Sequence, residues 1–119
     1  MSTTLLSTSP VVAAGGAPTS GYGSAIDCTT TGLARIAATV TPTFPSGQAN
    51  GHCAVDLQIE TGPTSTGPWQ PLGDAVQIRS GAYARRFTRP GLDVYARVAW
   101  TASGPVGATI AIVVAADLL

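Results

Sequence analysis

At 119 residues the chain fits one domain with a single hydrophobic core and leaves no room for a second. Charged residues make up 10% of it and apolar residues 45%, against roughly 25% charged in an average soluble domain, so its surface must be largely neutral. The six cationic residues, all Arg, balance six acidic ones, and a net charge of zero supplies no field to draw in nucleic acid or an anionic membrane.

Residues 1–22 are rich in Ser, Thr, Gly, Ala and Pro, with apolar pairs at Leu5-Leu6 and Val11-Val12. No basic residue precedes Leu5, and Ser7 to Pro10 break the apolar stretch, which does not fit a signal peptide. The segment reads either as a first edge strand near residues 5–13 or as an extended arm laid on another subunit. Residues 23–119 read as the folded body.

In the body, 24–29 predicts a short strand ended by Thr30, Thr31 and Gly32. Residues 33–43 fit both helical and strand spacing, and strand is preferred because Thr39, Val40, Thr41 and Thr43 are β-branched and Pro42 and Pro45 cut the length short. Asn50-Gly51 is a hairpin-turn signal before a strand in which Val55, Leu57 and Ile59 alternate with Asp56, Gln58 and Glu60. Thr61 to Pro68, with two Gly-Pro steps, predicts a surface loop, and Trp69 and Leu72 after it are expected to cover one end of the core.

Residues 75–79 and 82–88 predict a strand pair turning at Ser80-Gly81, and Arg89-Pro90-Gly91 a tight turn. Residues 93–101 and 109–115 then predict a last hairpin. In its first strand Val94, Ala96, Val98 and Trp100 share one face and Tyr95, Arg97 and Ala99 the other. Its second strand is apolar on both faces, which suits a central strand or a subunit contact. About eight short strands with no secure helix predict an all-β fold, a single antiparallel β-sandwich or jelly roll with an extended N-terminal arm.

The order VDLQIETGPTSTGPWQPLGD, QIRSGAYARRF and RPGLDVYARVAWTASG resembles small β-sandwich proteins among the structural genes of tailed bacteriophages. The upstream TLLSTSPVVAAGGAPTSGYGSAIDC is similar to that family's leader, so the resemblance spans most of the chain. It implies a non-enzymatic virion component made in the host cytoplasm, foremost a capsid decoration or cement protein on the outer surface of the head. Its partners would be the major capsid protein and further copies of itself in a homo-oligomer, with a trimer taken as the first case. A tail or head-to-tail connector subunit stays open.

Candidate chemistry is sparse. His52, the lone histidine, adjoins Cys53 in sequence, so their side chains point to opposite sides of an extended chain, a poor nucleophile–base geometry. Two cysteines and one histidine fall short of the four ligands of a structural zinc site, and Cys28 and Cys53 are expected reduced and buried. Asp56 and Glu60 share the outer face of one strand and are expected to form cross-strand ion pairs. No catalytic, cofactor or metal residue is assigned. The residues expected to meet a partner are Leu5, Leu6, Val11 and Val12 of the arm, with Tyr95 and Arg97 on an outer sheet face, because Tyr and Arg are enriched at interface hot spots. An alternative use of exposed aromatics, Trp69 foremost, is carbohydrate binding.

Overall fold

Alternating apolar and polar residues impose strands that bury one face, and the computed structural model, which describes residues 2–12, 18–28, 33–44, 53–79, 83–105 and 107–118, consists of such strands. In chain order they are β1 (Ser2–Thr8), β2 (Thr19–Tyr22), β3 (Ile26–Asp27), β4 (Leu33–Thr43), β5 (Ala54–Gly62), β6 (Gln70–Pro71), β7 (Val76–Arg79), β8 (Tyr83–Pro90), β9 (Tyr95–Ser103) and β10 (Thr109–Leu118). One sheet runs β1-β10-β4-β8 and the other β2-β9-β5-β6, all antiparallel, with β3 beside β9 and β7 beside β5. Because β2 and β3 share one side of β9 and β6 and β7 share one side of β5, the described strands occupy eight positions, four to a sheet. That winding is a jelly roll, a β-sandwich in which the chain repeatedly steps between sheets.

The core fills the space between the two inner faces. Ile36, Val40, Ile110, Ile112 and Val114 come from the first sheet, and Val55, Leu57, Ile59, Val98 and Trp100 from the second; all are buried. Residues 33–43 form the strand preferred from the sequence, with Ala34, Ile36, Ala38 and Val40 inward. On the β7–β8 side the sandwich is closed by arginines. Arg85 Nη1 donates to the Gln77 carbonyl at 3.2 Å and Arg89 Nη2 to the Asp74 carbonyl at 2.6 Å, the Arg89 guanidinium lying 4.8 Å from the Phe87 ring centroid.

Several local expectations are corrected. The three predicted hairpins are crossovers: β4 and β5, β7 and β8, and β9 and β10 each lie in opposite sheets. Residues 45–52, with the Asn50-Gly51 signal and His52, lie outside the described residues. A turn motif fixes a local chain reversal, but the partner of each strand is set by which inner face it must cover. The hairpin that does form joins β5 to β6, with Thr61 opposite Gln70 across the predicted loop.

The N-terminal segment is not an arm reaching outward over residues 2–12. β1 pairs with β10 from Ser2 opposite Asp117 to Thr8 opposite Ile112, and a bulge at Leu5 turns both Leu5 and Leu6 into the core. Beyond β1 the pairing continues through Ile110 N–H to the Pro10 carbonyl (2.9 Å) and Val12 N–H to the Ala108 carbonyl (2.9 Å).

Candidate functional site

The two outer faces of the sandwich differ in chemistry. On the first sheet, β10 directs Ala111, Val113 and Ala115 outward, flanked on β4 by Ala37, Thr39 and Thr41 and on β1 by Thr4 and Ser7. Val113 is 43% exposed, and Val11, bridged to Thr109 at the end of the same face, is 56% exposed. Charges on this face, Arg35, Arg86 and Asp117, gather at the opposite end. The stretch from Val11 to Ala115 is therefore a field of Ala, Thr, Ser and Val with no charged side chain of its own.

The outer face of the second sheet carries an organised polar and aromatic group. Glu60 on β5 stands directly opposite Arg97 on β9, and Arg97 Nε donates to Glu60 Oε1 at 2.7 Å. The Arg97 guanidinium packs 3.9 Å from the Tyr22 ring centroid and 4.5 Å from that of Trp69. A cation held over aromatic faces is attracted by their quadrupoles, and the carboxylate fixes its orientation, so four side chains from different strands and a loop brace one another. Tyr22 is 63% exposed and presents most of its ring to solvent.

Local sequence explains how Tyr22 is presented. In Ser20–Ser24 the two-residue period sends Gly21 and Gly23 inward and Tyr22 outward. A Cβ on Gly21 would come within 2.8 Å of Trp100 Cζ2, and one on Gly23 would collide with the carbonyl oxygen of Leu5. The glycines let β2 and the residues after it lie close over the core, and Tyr22 between them has only the outside to occupy.

Beside Tyr22 the same face dips into a depression of about 220 Å³ lined by Ser20, Asp56, Gln58, Ala99 and Thr101. Gln77 Nε2 donates to Asp56 Oδ1 at 2.9 Å. Gln58 Nε2 donates to the carbonyls of Ile59 (2.9 Å) and Gly73 (3.1 Å), which leaves the Gln58 Oε1 as an acceptor.

Of the residues expected to meet a partner, Leu5, Leu6 and Val12 are buried in the chain's own core. Val11 is exposed, Tyr95 is half-buried, and Arg97 is half-buried within the Tyr22–Trp69–Glu60 cluster. Trp69 lies over Arg97 on the outer sheet face instead of over one end of the core. Glu60 takes the expected cross-strand ion pair, whereas Asp56 bonds Gln77. Tyr22 was not singled out by periodicity because its strand is short; the signal was the aromatic set between two glycines.

Cys28 and Cys53 are buried and not joined in a disulfide. Burial pushes the Cys28 thiol above its ordinary range, and the neighbouring Asp27 charge adds to the shift, so the thiol stays protonated. Among the described residues no group of three or more His, Cys, Asp or Glu is placed to hold a metal ion, and no helix is long and apolar enough to cross a membrane. Comparison of the chain with family models, with curated proteins and with solved structures finds no match.

Proposed function

We propose that this chain is a non-enzymatic virion structural protein, a capsid decoration protein that binds the outer surface of a phage head and stabilises it by bridging neighbouring capsid subunits. The observation that carries this reading is the uncharged stretch of the outer face of the first sheet, where Ala111, Val113 and Ala115 run among small residues away from the charges at one end. Packing this stretch against another neutral surface removes apolar area from water and strips no ion of its hydration, so the desolvation penalty is small. The jelly roll supports the reading because this architecture recurs in viral shells, and the sequence resemblance to phage structural proteins points the same way. Fold alone assigns no role, which is why the face and not the architecture is put to the test.

With residues 2–12 docked on their own sheet, bridging falls to this face and to self-association, each contact weak alone and strengthened when several copies are linked on one lattice. The test is occupancy on purified shells, read by sedimentation and by electron-microscopy maps of the virion. Wild type is expected at repeated sites across the head, and Val113→Glu, which buries a carboxylate in the contact, is expected to lower occupancy at least about tenfold while leaving the fold intact. Copies confined to a ring at the tail axis would move the assignment to a tail or connector subunit. Undiminished binding of Val113→Glu would remove this face from the contact.

A further inference from the structure

We infer that the depression beside Tyr22 on the outer face of the second sheet is a saccharide-binding site, taking one neutral sugar ring stacked on Tyr22 and hydrogen-bonded by Asp56 and Gln58. This goes beyond the capsid-binding reading and rests on the opposite face of the molecule. Sugar recognition needs an aromatic face for the C–H side of the ring and planar, pre-oriented polar groups for its hydroxyls. Both are present within one depression.

The register gives the shape. Gln58, Ala99 and Tyr22 form one row across β5, β9 and β2, and Asp56, Thr101 and Ser20 form the next. Arg97 lies one row to the other side of Ala99 and covers the Tyr22 ring from there. The opposite side of the ring thus borders the row of Asp56, Thr101 and Ser20. Ala99 and Thr101 form the floor, and with Ser20 they leave space beside that side of the ring; β2 and β5 are separated by two spacings, about 10 Å, which accommodates one sugar ring standing against Tyr22.

The polar groups are fixed before any ligand arrives. The Asp56 carboxylate is oriented by Gln77, and a carboxylate accepting from sugar hydroxyls makes charge-assisted bonds stronger than neutral ones. The Gln58 amide is anchored through its nitrogen to two carbonyls and offers its oxygen. Ser20 and Thr101 add hydroxyls that both donate and accept. Tyr22 is held by Arg97, which Glu60 holds in turn, so little side-chain freedom is lost on binding. Among the described residues lining the depression the one charge is that of Asp56, and the arginines beside it, Arg79 on Gln77 and Arg97 on Glu60, are already engaged, so the site favours a neutral sugar over an anionic one.

The test has two arms: saturation-transfer NMR with a panel of neutral mono- and disaccharides, and binding of the full chain to immobilised bacterial surface polysaccharides. Tyr22→Ala and Asp56→Asn are each expected to lower affinity at least about tenfold, Tyr22→Phe to retain most of it because the ring remains, and Val113→Glu on the far face to leave it unchanged. Circular dichroism checks that each variant folds. Binding in either arm that follows this pattern supports the site, and the arm that responds names the source of the sugar. Absence of binding in both arms, or binding indifferent to Tyr22→Ala and Asp56→Asn in folded protein, overturns it. Either result leaves the Val113 experiment on shells independent.

Discussion

At the scale of single residues, the glycines around Tyr22 show how a chain with few large side chains still specifies a surface. Gly23 donates its N–H to the Val98 carbonyl at 2.8 Å, tying the segment to β9, while its α-carbon faces the Leu5 carbonyl so closely that no side chain fits. The obstacle is backbone, not the end of a flexible side chain, so it cannot swing aside. Gly23→Ala is therefore expected to lower stability by about 1–3 kcal/mol, the usual range for overpacking, as the β1 bulge and the 23–25 segment separate. Ser24→Ala, an exposed neighbour, should stay within about 0.5 kcal/mol. Urea unfolding of the two variants beside wild type measures this, and equal midpoints for both would mean that the two segments are not locked together. The same substitution should also weaken the stacking of Tyr22, since the ring's direction depends on the glycines either side of it.

At the scale of elements, β1 decides between two readings of the N-terminus. Composition alone left residues 1–22 open as arm or edge strand, because Ser, Thr and Ala carry little pattern and two apolar pairs serve either role. The structure gives Leu5, Leu6 and Val12 to the core. Leu5→Ala is expected to cost about 2–5 kcal/mol, and deletion of residues 2–8 more, since it also exposes one side of β10 and its unpaired backbone groups. An arm would have given no change in the unfolding midpoint on deletion, so thermal unfolding of the truncated chain separates the two. Alternation made β5 and β9 legible, down to which residues face inward, because a half-buried strand must repeat every two residues, whereas β10, apolar on both faces, was legible as a strand without its inward side. Pairing was not legible. The turn signals at Asn50-Gly51, Ser80-Gly81 and Ser103-Gly104 read as hairpins, yet the flanking strands lie in opposite sheets, because each needs an apolar face across the core more than a neighbour beside it. The site was half legible for the same reason: Glu60 and Arg97 announced an outer face, but their meeting with Tyr22 and Trp69 depends on strand order.

At the scale of the whole molecule, the sandwich divides two kinds of surface between two sheets. The first offers a neutral field with charges at one end, and the second a braced aromatic and polar group in which Glu60 already neutralises Arg97. A zero net charge supplies no overall field to draw a partner to the molecule. If the neutral field is what binds a shell, affinity should respond weakly to salt. Raising the salt from about 0.1 M to about 1 M shrinks the screening length from about 10 Å to about 3 Å, which strongly weakens contacts made by exposed ion pairs. Here shell binding is expected to change less than about twofold over that range, and to strengthen in sulfate, which favours burial of apolar surface. Arg35→Ala and Arg86→Ala, at the charged end, should each have little effect, in contrast to Val113→Glu. Sedimentation of shells with bound protein across a salt series measures this. A tenfold loss in high salt, reproduced by either arginine substitution, would relocate the contact to the charged end of the same sheet, where Arg35, Arg86 and Asp117 surround a second depression of about 560 Å³. The salt series thus tests where on the sheet the shell is held, and the mechanism follows from the answer, because a neutral field tolerates sliding until several copies lock together, whereas paired charges fix each copy on its own.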